Sequence, residues 1–263
     1  MPVYRIAGLS VLMEPHYSLL ESRAAQYRLP DGSVKKEDCD MMIDQQAQSF
    51  GEWLKSYRNY PMDINEYTWS GYRFYCELIN HGGFFLHASA VALDDRAYLF
   101  SADSGTGKST HTQLWLKYFG KERAFLINDD KPALLKGKGG YLACGTPFSG
   151  KHDLSRNAMV PVQALCFLER ASENCIRKIG SREAVQRIFT QIMRSSDRTA
   201  MKEILTMLDE FLTAVPVYVL RCNISSDAVK TAYEEMGFCG SRDNFVISGQ
   251  ILLCFVDMNR NRK

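Results

Sequence analysis

Apolar and polar residues alternate in short blocks along the central third of the chain. Residues 84–93 and 97–101 are two apolar runs on either side of the polar tripeptide 94–96. Apolar runs of this length joined by a short polar turn are typical of consecutive strands. The pattern therefore predicts two strands joined by a tight turn at the start of this region.

A glycine-bearing loop follows the second run and leads into a helical pattern. Helical spacing predicts a helix from Lys108 to about Phe119, and Gly120 is expected to end it. Residues 124–127 form another short apolar strand, which leads into the acidic pair Asp129-Asp130. The order of strand, loop, helix, strand and acidic pair favours a nucleotide-binding α/β core.

Alternating elements continue on both sides of this core. The first section is predicted to hold a strand at 4–13 and a helix from about 40 to 57. In the last third we predict strands at 163–169, 175–179 and 215–222 and helices at 181–194, 197–213 and 227–236. The expected fold is α/β, with a mixed sheet and flanking helices. We expect residues 1–75 to form a small N-terminal α+β section packed on a core domain of residues 76–263.

Composition narrows the partners that the chain is expected to have. Its 263 residues are 46% hydrophobic and 24% charged, as in ordinary globular proteins. A net charge of +2 does not favour binding to nucleic acid or to an anionic membrane. The start shows no secretion signal, no stretch is apolar for long enough to span a membrane, and the basic tail 260–263 is interpreted as a solvated end. We therefore expect a cytoplasmic protein.

The eight cysteines bear on metal binding and on the redox environment. They are scattered, and no two form a Cys-x-x-Cys pair. This spacing argues against a zinc cage and against a disulfide framework. Cys166 lies in an apolar string, where cysteine acts as a small core residue. A reducing compartment fits this usage.

Residues 102–109 read Ala-Asp-Ser-Gly-Thr-Gly-Lys-Ser and match a phosphate-loop pattern, except that Ala102 replaces its first glycine. Backbone N–H groups of such a loop, with the positive end of the following helix, bind nucleotide phosphates. The mobile ammonium of Lys108 would bind the β- and γ-phosphate oxygens as negative charge shifts onto them, and the Ser109 hydroxyl would bind Mg²⁺. We expect ATP to contact Asp103, Ser104, Gly105, Thr106, Gly107, Lys108, Ser109 and Thr110.

The acidic pair is expected to complete the site. Adjacent side chains at the end of a strand point in different directions. One carboxylate could then face a metal ion while the other faces an acceptor hydroxyl as a base. The alternative interpretation is an ordinary solvated turn with two acids.

These motifs resemble the catalytic domain of HPr kinase/phosphorylase. That family pairs Gly-Asp-Ser-Gly-x-Gly-Lys-Ser with a preceding histidine strand and a following Ala-Asp-Asp segment, and the matching stretches lie at 87–91, 102–109 and 128–130. The chain is still more similar to HPr-kinase-like proteins often encoded beside peptide-modification genes. They share patterns similar to Leu-His-Ala-Ser-Ala-Val, Ser-Gly-Thr-Gly-Lys-Ser-Thr, Asn-Asp-Asp-Lys-Pro and Gly-Thr-Pro-Phe-Ser-Gly-Lys. The resemblance covers about residues 80–170 and implies a P-loop kinase core of the HPr kinase/phosphoenolpyruvate carboxykinase type.

The resemblance also implies roles for individual residues. His87 would lie near the phosphate loop and orient the catalytic carboxylate or the γ-phosphate. Asp130 would be the base and Asp129 the carboxylate on the metal, although these two roles could be reversed. Asp130, His87 and Lys108 are therefore the candidate catalytic residues, and Ser109 and Asp129 are the candidate ligands of Mg²⁺. Relatives in this family also suggest a homo-oligomer.

Two departures from the HPr kinase pattern affect the expected substrate. Thr110 stands where HPr kinases commonly carry glutamate, which weakens the case for the reverse phosphorylase activity. The chain also shows no counterpart of the glycine-rich signature with which that family engages HPr. HPr itself is thus a doubtful acceptor.

A second loop, residues 145–151, is the remaining candidate for contact with a substrate. It ends in Gly150 and Lys151, and it could close over the phosphates or the acceptor, or be an ordinary turn. We expect His111 and His152 to lie at the surface. Candidates for a cation in the transition state are Arg156, Arg170 and Arg194.

The sequence therefore predicts an ATP- and Mg²⁺-dependent phosphotransferase acting on a hydroxyl. The acceptor would be a serine of a protein or peptide, or a small molecule. Two alternatives remain open at this point. One is a nucleotide-binding regulatory or accessory protein without phosphotransfer. The other is a carboxykinase-like lyase, which would require a 2-oxo acid and a second metal.

Overall fold

Two β-sheets, seven α-helices and three short 3-10 helices make up the computed structural model, which describes residues 1–44, 47–194 and 197–237. The basic tail 260–263 lies outside the described residues. The strands are β1 Val3–Ile6, β2 Leu9–Met13, β3 Met41–Ile43, β4 Gly83–Phe85, β5 Ala88–Leu93, β6 Arg96–Ser101, β7 Ala124–Asn128, β8 Ala133–Gly137, β9 Gly140–Cys144, β10 Met159–Arg170, β11 Cys175–Lys178 and β12 Val217–Cys222. The helices are α1 Ser18–Ala24, α2 Gln48–Tyr57, α3 Met62–Leu78, α4 Lys108–Phe119, α5 Ser181–Ile188, α6 Arg198–Ala214 and α7 Ser226–Gly237.

The large sheet has nine strands and mixed direction. Its main path runs β4-β8-β9-β10-β6-β5-β7, with β12 beside β10 and β11 beside β12. Strand β10 pairs in parallel with both β6 and β12, whereas β5 is antiparallel to β6 and to β7. Because β5 is antiparallel to both neighbours, β6 and β7 run in the same direction. The expectation of an α/β fold with a mixed sheet and flanking helices is confirmed.

Alternate residues of β6 point into two different hydrophobic clusters, as expected for a strand buried on both faces. Leu99 packs in the cluster that contains Ile188 of α5 and Leu208 of α6. Phe100 packs in the cluster that contains Trp115 of α4, together with residues of α7. Cys166 of β10 is also buried there, which confirms its expected place in the core. The sheet thus lies between two layers of helices.

One edge of this sheet collects the segments that carry the motifs. Strands β6, β10 and β7 end at Ser101, Arg170 and Asn128, and all three run in the same direction. Ligands of open α/β sheets bind outside the carboxyl ends of such strands. The glycine loop and the acidic pair follow two of these ends, so the fold brings them to one side of the molecule.

The structure confirms several predicted elements and corrects others. Helix α4 has the predicted bounds, Lys108–Phe119, and Gly120 follows it with a φ of 79°. The predicted strand 4–13 is wrong, because a turn with positive φ at Ala7 and Gly8 divides it into β1 and β2. The predicted helix 40–57 is also wrong at its start, where β3 adds a parallel strand to β2. In both cases pairing with neighbouring strands overrides the apolar periodicity.

Two further corrections concern the surroundings of the motifs. The predicted strand 84–93 is interrupted between β4 and β5, where the N–H of His87 donates to the carbonyl of Gln191 at 2.7 Å. The predicted helix 181–194 is too long, because α5 ends at Ile188. These two interruptions face each other, and Leu86 forms an isolated bridge to Ile192.

The first 78 residues form a smaller sheet, β1-β2-β3, with α1, α2 and α3. Ile6 and Phe74 share a hydrophobic cluster with Cys144 and Phe148 of the core. The division at residue 75 stays a prediction, and α3 runs across it. None of the described helices has both the length and the apolar character needed to cross a membrane.

Candidate functional site

The loop between β6 and α4 depends on its two glycines. Gly105 has a φ of 79° and Gly107 a φ of 120°, values that residues with a Cβ rarely adopt. The N–H of Thr106 donates to the carbonyl of Asp103 at 3.1 Å, which closes a tight turn within the loop. The chain therefore needs glycine at both of these motif positions.

Ala102, where the phosphate-loop pattern has its first glycine, does not need glycine geometry. The φ angle of Ala102 is not positive. The residue is 6% exposed and packs in the cluster that contains Phe100 and Trp115. An alanine methyl group fits this position without strain. The departure from the pattern is thus compatible with the loop.

Lys108 is the first residue of α4 and lies across the loop. Its Nζ donates to the carbonyl of Ala102 at 2.8 Å, and the residue is 9% exposed. Burial lowers the pKa of Lys108, while the nearby carboxylates of Asp130 and Asp103 act in the opposite direction. Within the described residues no side chain caps α4, so N–H groups of its first turn remain open to a ligand.

Asp130 lies in a cluster of positively charged and polar groups. Its Oδ1 is 3.2 Å from Nε2 of His87, and its Oδ2 forms an ion pair with Nζ of Lys131. Burial alone would raise the pKa of Asp130, but the hydrogen bond from His87 and the charge of Lys131 outweigh it and hold the pKa well below its usual range. The carboxylate is therefore ionised.

Asn128 sets the directions of the acidic pair. Its Oδ1 accepts from the N–H groups of Asp130 and Lys131 at 2.9 and 2.7 Å, an Asx turn that tightens the chain after β7. Its Nδ2 donates to Oγ1 of Thr146 at 3.2 Å, and both residues are fully buried. The sequence motif contained this asparagine, but its structural role emerges only from these contacts.

Asp129 points away from Asp130 towards the second loop. It is 4% exposed, and its Oδ1 accepts from the N–H of Gly150 at 2.6 Å. Burial raises the pKa of Asp129, against the lowering effect of that hydrogen bond. Among the described residues, no hydrogen bond joins Asp129 to Ser109.

The second loop is held in place by the N-terminal section. Tyr67 of α3 donates from Oη to the carbonyl of Ser149 at 2.8 Å, and Arg23 of α1 donates to that Oη at 2.7 Å. Arg23 also forms an ion pair with Asp153 at 3.4 Å. These contacts anchor the segment that presents Gly150 to Asp129. Lys151, the other residue predicted to contact a substrate, is exposed.

The three candidate arginines occupy different positions. Arg170 donates from Nε to the carbonyl of Thr106 at 3.2 Å and also to the carbonyl of Gly105. Arg156 lies over the ring of Phe125, 4.5 Å from its centroid, and Arg194 is exposed. Among the described residues, Arg170 is thus the one of the three that contacts the phosphate loop.

The two flanking histidines also differ from each other. His152 is exposed, as predicted. The surface position predicted for His111 is wrong, because this residue is only 3% exposed and its Nε2 accepts from Nε1 of Trp115 at 3.1 Å. Burial lowers the pKa of His111 to about 4. The spacing of four residues on α4 brings this histidine under the indole, inside the core.

A cavity of about 630 Å³ opens beside the loop, with walls that include Asp103, Ser104, Arg170 and Gln191. This volume is typical of small-ligand sites. Gln191 also contacts His87, with its Oε1 3.0 Å from Nδ1 of the ring. The sequence offered no signal for this glutamine, since it was placed inside the predicted helix 181–194.

Comparison with known families found one match that covers most of this site. The family described as "SynChlorMet cassette protein ScmC" matches residues 54–231. Comparison with curated proteins gave no match. Among solved structures, the chain is similar to the Hpr(Ser) kinase/phosphatase from Coxiella burnetii, at 12% identity and a TM-score of 0.34, over 58% of this chain and 98% of that one. The family match spans both the glycine loop and the acidic pair.

Proposed function

The chain belongs to the family described as SynChlorMet cassette protein ScmC, and from the chemistry of its site we propose that it is an ATP-dependent kinase. The reaction transfers the γ-phosphoryl group to a hydroxyl, with a serine of a protein or peptide, or a small molecule, as the acceptor. One observation carries this proposal. The ammonium of Lys108, at the start of a helix after a glycine loop, donates to the carbonyl of Ala102 within that loop, at the sheet edge where Asp130 follows β7.

Nucleotide binding is assigned to the P-loop, residues 102–110. Its glycines curl the backbone, and the uncapped first turn of α4 offers N–H groups to the phosphates. Lys108 exchanges its hydrogen bond to the Ala102 carbonyl for one to a phosphate oxygen. This exchange costs little, because one neutral acceptor is replaced by a charged one.

The residues also fit a divalent cation. Asp129 offers a buried carboxylate that accepts from the N–H of Gly150, and Ser109 offers a hydroxyl in the first turn of α4. Hard cations of this kind prefer oxygen ligands. Bound Mg²⁺ would neutralise charge on the β and γ oxygens. We assign Ser109 and Asp129 to hold it.

Asp130 is assigned as the base. The acceptor oxygen forms a bond to the γ-phosphorus, the bond from that phosphorus to the departing ADP oxygen breaks, and the hydroxyl proton passes to Asp130. His87 stays on Oδ1 and holds the carboxylate ionised and oriented, which leaves Oδ2 as the oxygen that takes the proton.

Lys131 forms an ion pair with Oδ2 of Asp130, and its side chain is 41% exposed, so it is free to move towards an incoming phosphate. This movement would uncover Oδ2 and add a second cation to the transferring group. We therefore assign Lys131 as the cation that stabilises the transition state, a role for which the sequence had suggested three arginines.

A transfer assay tests this proposal. Purified protein is mixed with Mg²⁺ and γ-labelled ATP, and separately with serine-containing peptides, free serine or HPr. The proposal predicts a labelled phosphoester on one of these acceptors. ATP binding without label on any acceptor would contradict it and favour an accessory protein. Loss of CO₂ from a 2-oxo acid would instead indicate a carboxykinase-like lyase.

A further inference from the structure

Gln191 lies between two parts of the site that are far apart in the chain. It comes 104 residues after His87 and 88 residues after Asp103, yet its side chain contacts both. The Oε1 atom is 3.0 Å from Nδ1 of His87, and Nε2 donates to Oδ1 of Asp103 at 3.3 Å. The residue is 7% exposed, so water competes little for these bonds.

The chemistry of Asp103 fixes which way the amide points. An ionised carboxylate only accepts hydrogen bonds, so the amide nitrogen of Gln191 must face it. A second acceptor, Oγ1 of Thr190, lies 3.1 Å from the same nitrogen. The amide oxygen therefore faces His87, and Nδ1 of that ring must carry a proton to bond with it.

This bond determines what the other ring nitrogen can do. With Nδ1 tied to Gln191, Nε2 is the atom that faces Oδ1 of Asp130, at 3.2 Å. Oδ1 of the ionised Asp130 also only accepts, so Nε2 donates to it and the ring carries a proton on both nitrogens; the two bonds together fix its orientation. Rotation of the ring of His87 would break both contacts.

The backbone around Gln191 is held separately from its side chain. Its carbonyl accepts from the N–H of His87 at 2.7 Å, and Leu86 forms a bridge to Ile192. A change confined to the side chain of Gln191 should therefore release the ring and leave the segments paired. This separation makes the role of the side chain testable.

We propose that Gln191 is a positioning residue that joins the phosphate loop to the pair of His87 and Asp130. Through Nε2 it is fixed to Asp103 in the loop, and through Oε1 it holds the ring that orients the base. The inference rests on the proposed function of this site. It adds a residue outside the segment 80–170 in which the sequence motifs lie.

Gln191→Met removes both hydrogen bonds and keeps the length of the side chain. Gln113→Met, at an exposed position of α4, is the matched control. The first readout needs no activity. In protein labelled with ¹⁵N-histidine, the Nδ1 proton of His87 should be visible as a slowly exchanging signal. The chain has five histidines, and comparison with His87→Gln assigns this signal.

The inference predicts that the signal is present in the wild type and in Gln113→Met and is lost in Gln191→Met. Where transfer is measured, kcat should fall about 10- to 100-fold in Gln191→Met, while KM for ATP stays within about twofold. A persisting signal in that variant, or unchanged kcat, would overturn the inference. If the wild type transfers no phosphate, the proposed function fails, and the signal still decides the bond to His87.

Gln191→Glu is a second variant in case the methionine variant does not fold. Its carboxylate can still accept from Nδ1 of His87, but it repels Asp103 and cannot donate to it. The signal of His87 should therefore persist in Gln191→Glu. Its absence from this folded variant would contradict the assigned direction of the bond.

Discussion

Two segments that border the site are stabilised in different ways. The phosphate loop combines bonds between near neighbours, such as Lys108 to the carbonyl of Ala102, with bonds from the distant Arg170 and Gln191. The second loop, 145–151, receives bonds at the carbonyl of Ser149 from Tyr67 and Arg23, which lie more than 80 residues earlier in the chain. The first segment carries much of its geometry within its own motif, whereas the second depends on the N-terminal section.

This difference predicts whether substitutions in each segment reduce phosphotransfer or the stability of the fold. Substitutions of the charged residues of the phosphate loop and of the acidic pair should reduce chemistry while the fold survives, because these side chains are not part of the hydrophobic clusters described above. Substitutions of the residues that anchor the second loop should mainly lower the free energy of unfolding, and they should reduce phosphotransfer only through the altered position of the loop. The following predictions use this contrast, from the largest effect to the smallest.

Lys108→Ala should reduce phosphotransfer by about 1,000-fold, since it removes the cation that follows charge onto the transferring group. The thermal unfolding midpoint should change by only a few degrees, because the hydrogen bond that is lost, to the carbonyl of Ala102, lies within the loop. Lys117→Ala, at an exposed position of the last turn of α4, should behave like the wild type. Normal turnover in Lys108→Ala would contradict the assignment.

Asp130→Asn should reduce transfer by about 100-fold, because the amide cannot accept the proton of the hydroxyl. Titration with ATP and Mg²⁺ should show nucleotide affinity close to that of the wild type. Asp95→Asn, in the exposed turn between β5 and β6, is the control. A collapse of ATP affinity in Asp130→Asn would place Asp130 in the metal shell and reverse the roles of the two acids.

Gly150→Ala should raise the Mg²⁺ concentration needed for half-maximal transfer about tenfold. A Cβ at this position would lie 3.0 Å from Oδ2 of Asp129, which must then shift. Gly139→Ala is the matched control, because a Cβ there meets no atom within 4 Å. An unchanged Mg²⁺ requirement in Gly150→Ala would argue against Asp129 as a ligand.

Tyr67→Phe should lower the free energy of unfolding by about 1–1.5 kcal/mol, since the carbonyl of Ser149 loses one of its two donors and Arg23 loses an acceptor. Transfer should fall only a few-fold, because Arg23 still donates to the carbonyl of Ser149. Tyr60→Phe, at a residue that is 59% exposed, should leave both quantities unchanged. Urea unfolding measures the first quantity, and a loss equal to that of the control would contradict the anchoring role.

Ala102→Gly should have the smallest effect, a loss of about 0.5–1 kcal/mol in the free energy of unfolding with ATP affinity unchanged. Ala102 already has φ outside the left-handed region, so glycine adds freedom to the unfolded chain and no new geometry to the loop. Urea unfolding and ATP titration check both statements. A several-fold gain in affinity would mean that alanine strains the loop.

The same contrast explains how far the sequence alone could lead. The bounds of α4 and the position of the acidic pair follow from local spacing, and the structure has both where they were predicted. His111 was misplaced because a polar residue at a buried helical position is explained only by its partner Trp115. Local periodicity carries no information about such a partner until the packing is known.

Contacts between distant segments account for the other misses. Gln191 was placed inside a helix, since nothing in its neighbourhood signals that α5 ends at Ile188. Its partners His87 and Asp103 lie about a hundred residues earlier, beyond the reach of any local pattern. The anchoring of the second loop by Arg23 and Tyr67 was invisible for the same reason.

Affinity labelling with an acyl-phosphate derivative of ATP tests the central claim most directly. Such a reagent transfers its acyl group to a lysine that lies beside the bound phosphates, and peptide mass spectrometry identifies the labelled residue. The account predicts label on Lys108 or Lys131 that excess ATP prevents. Label confined to other lysines, or label at these two that ATP does not prevent, would contradict it.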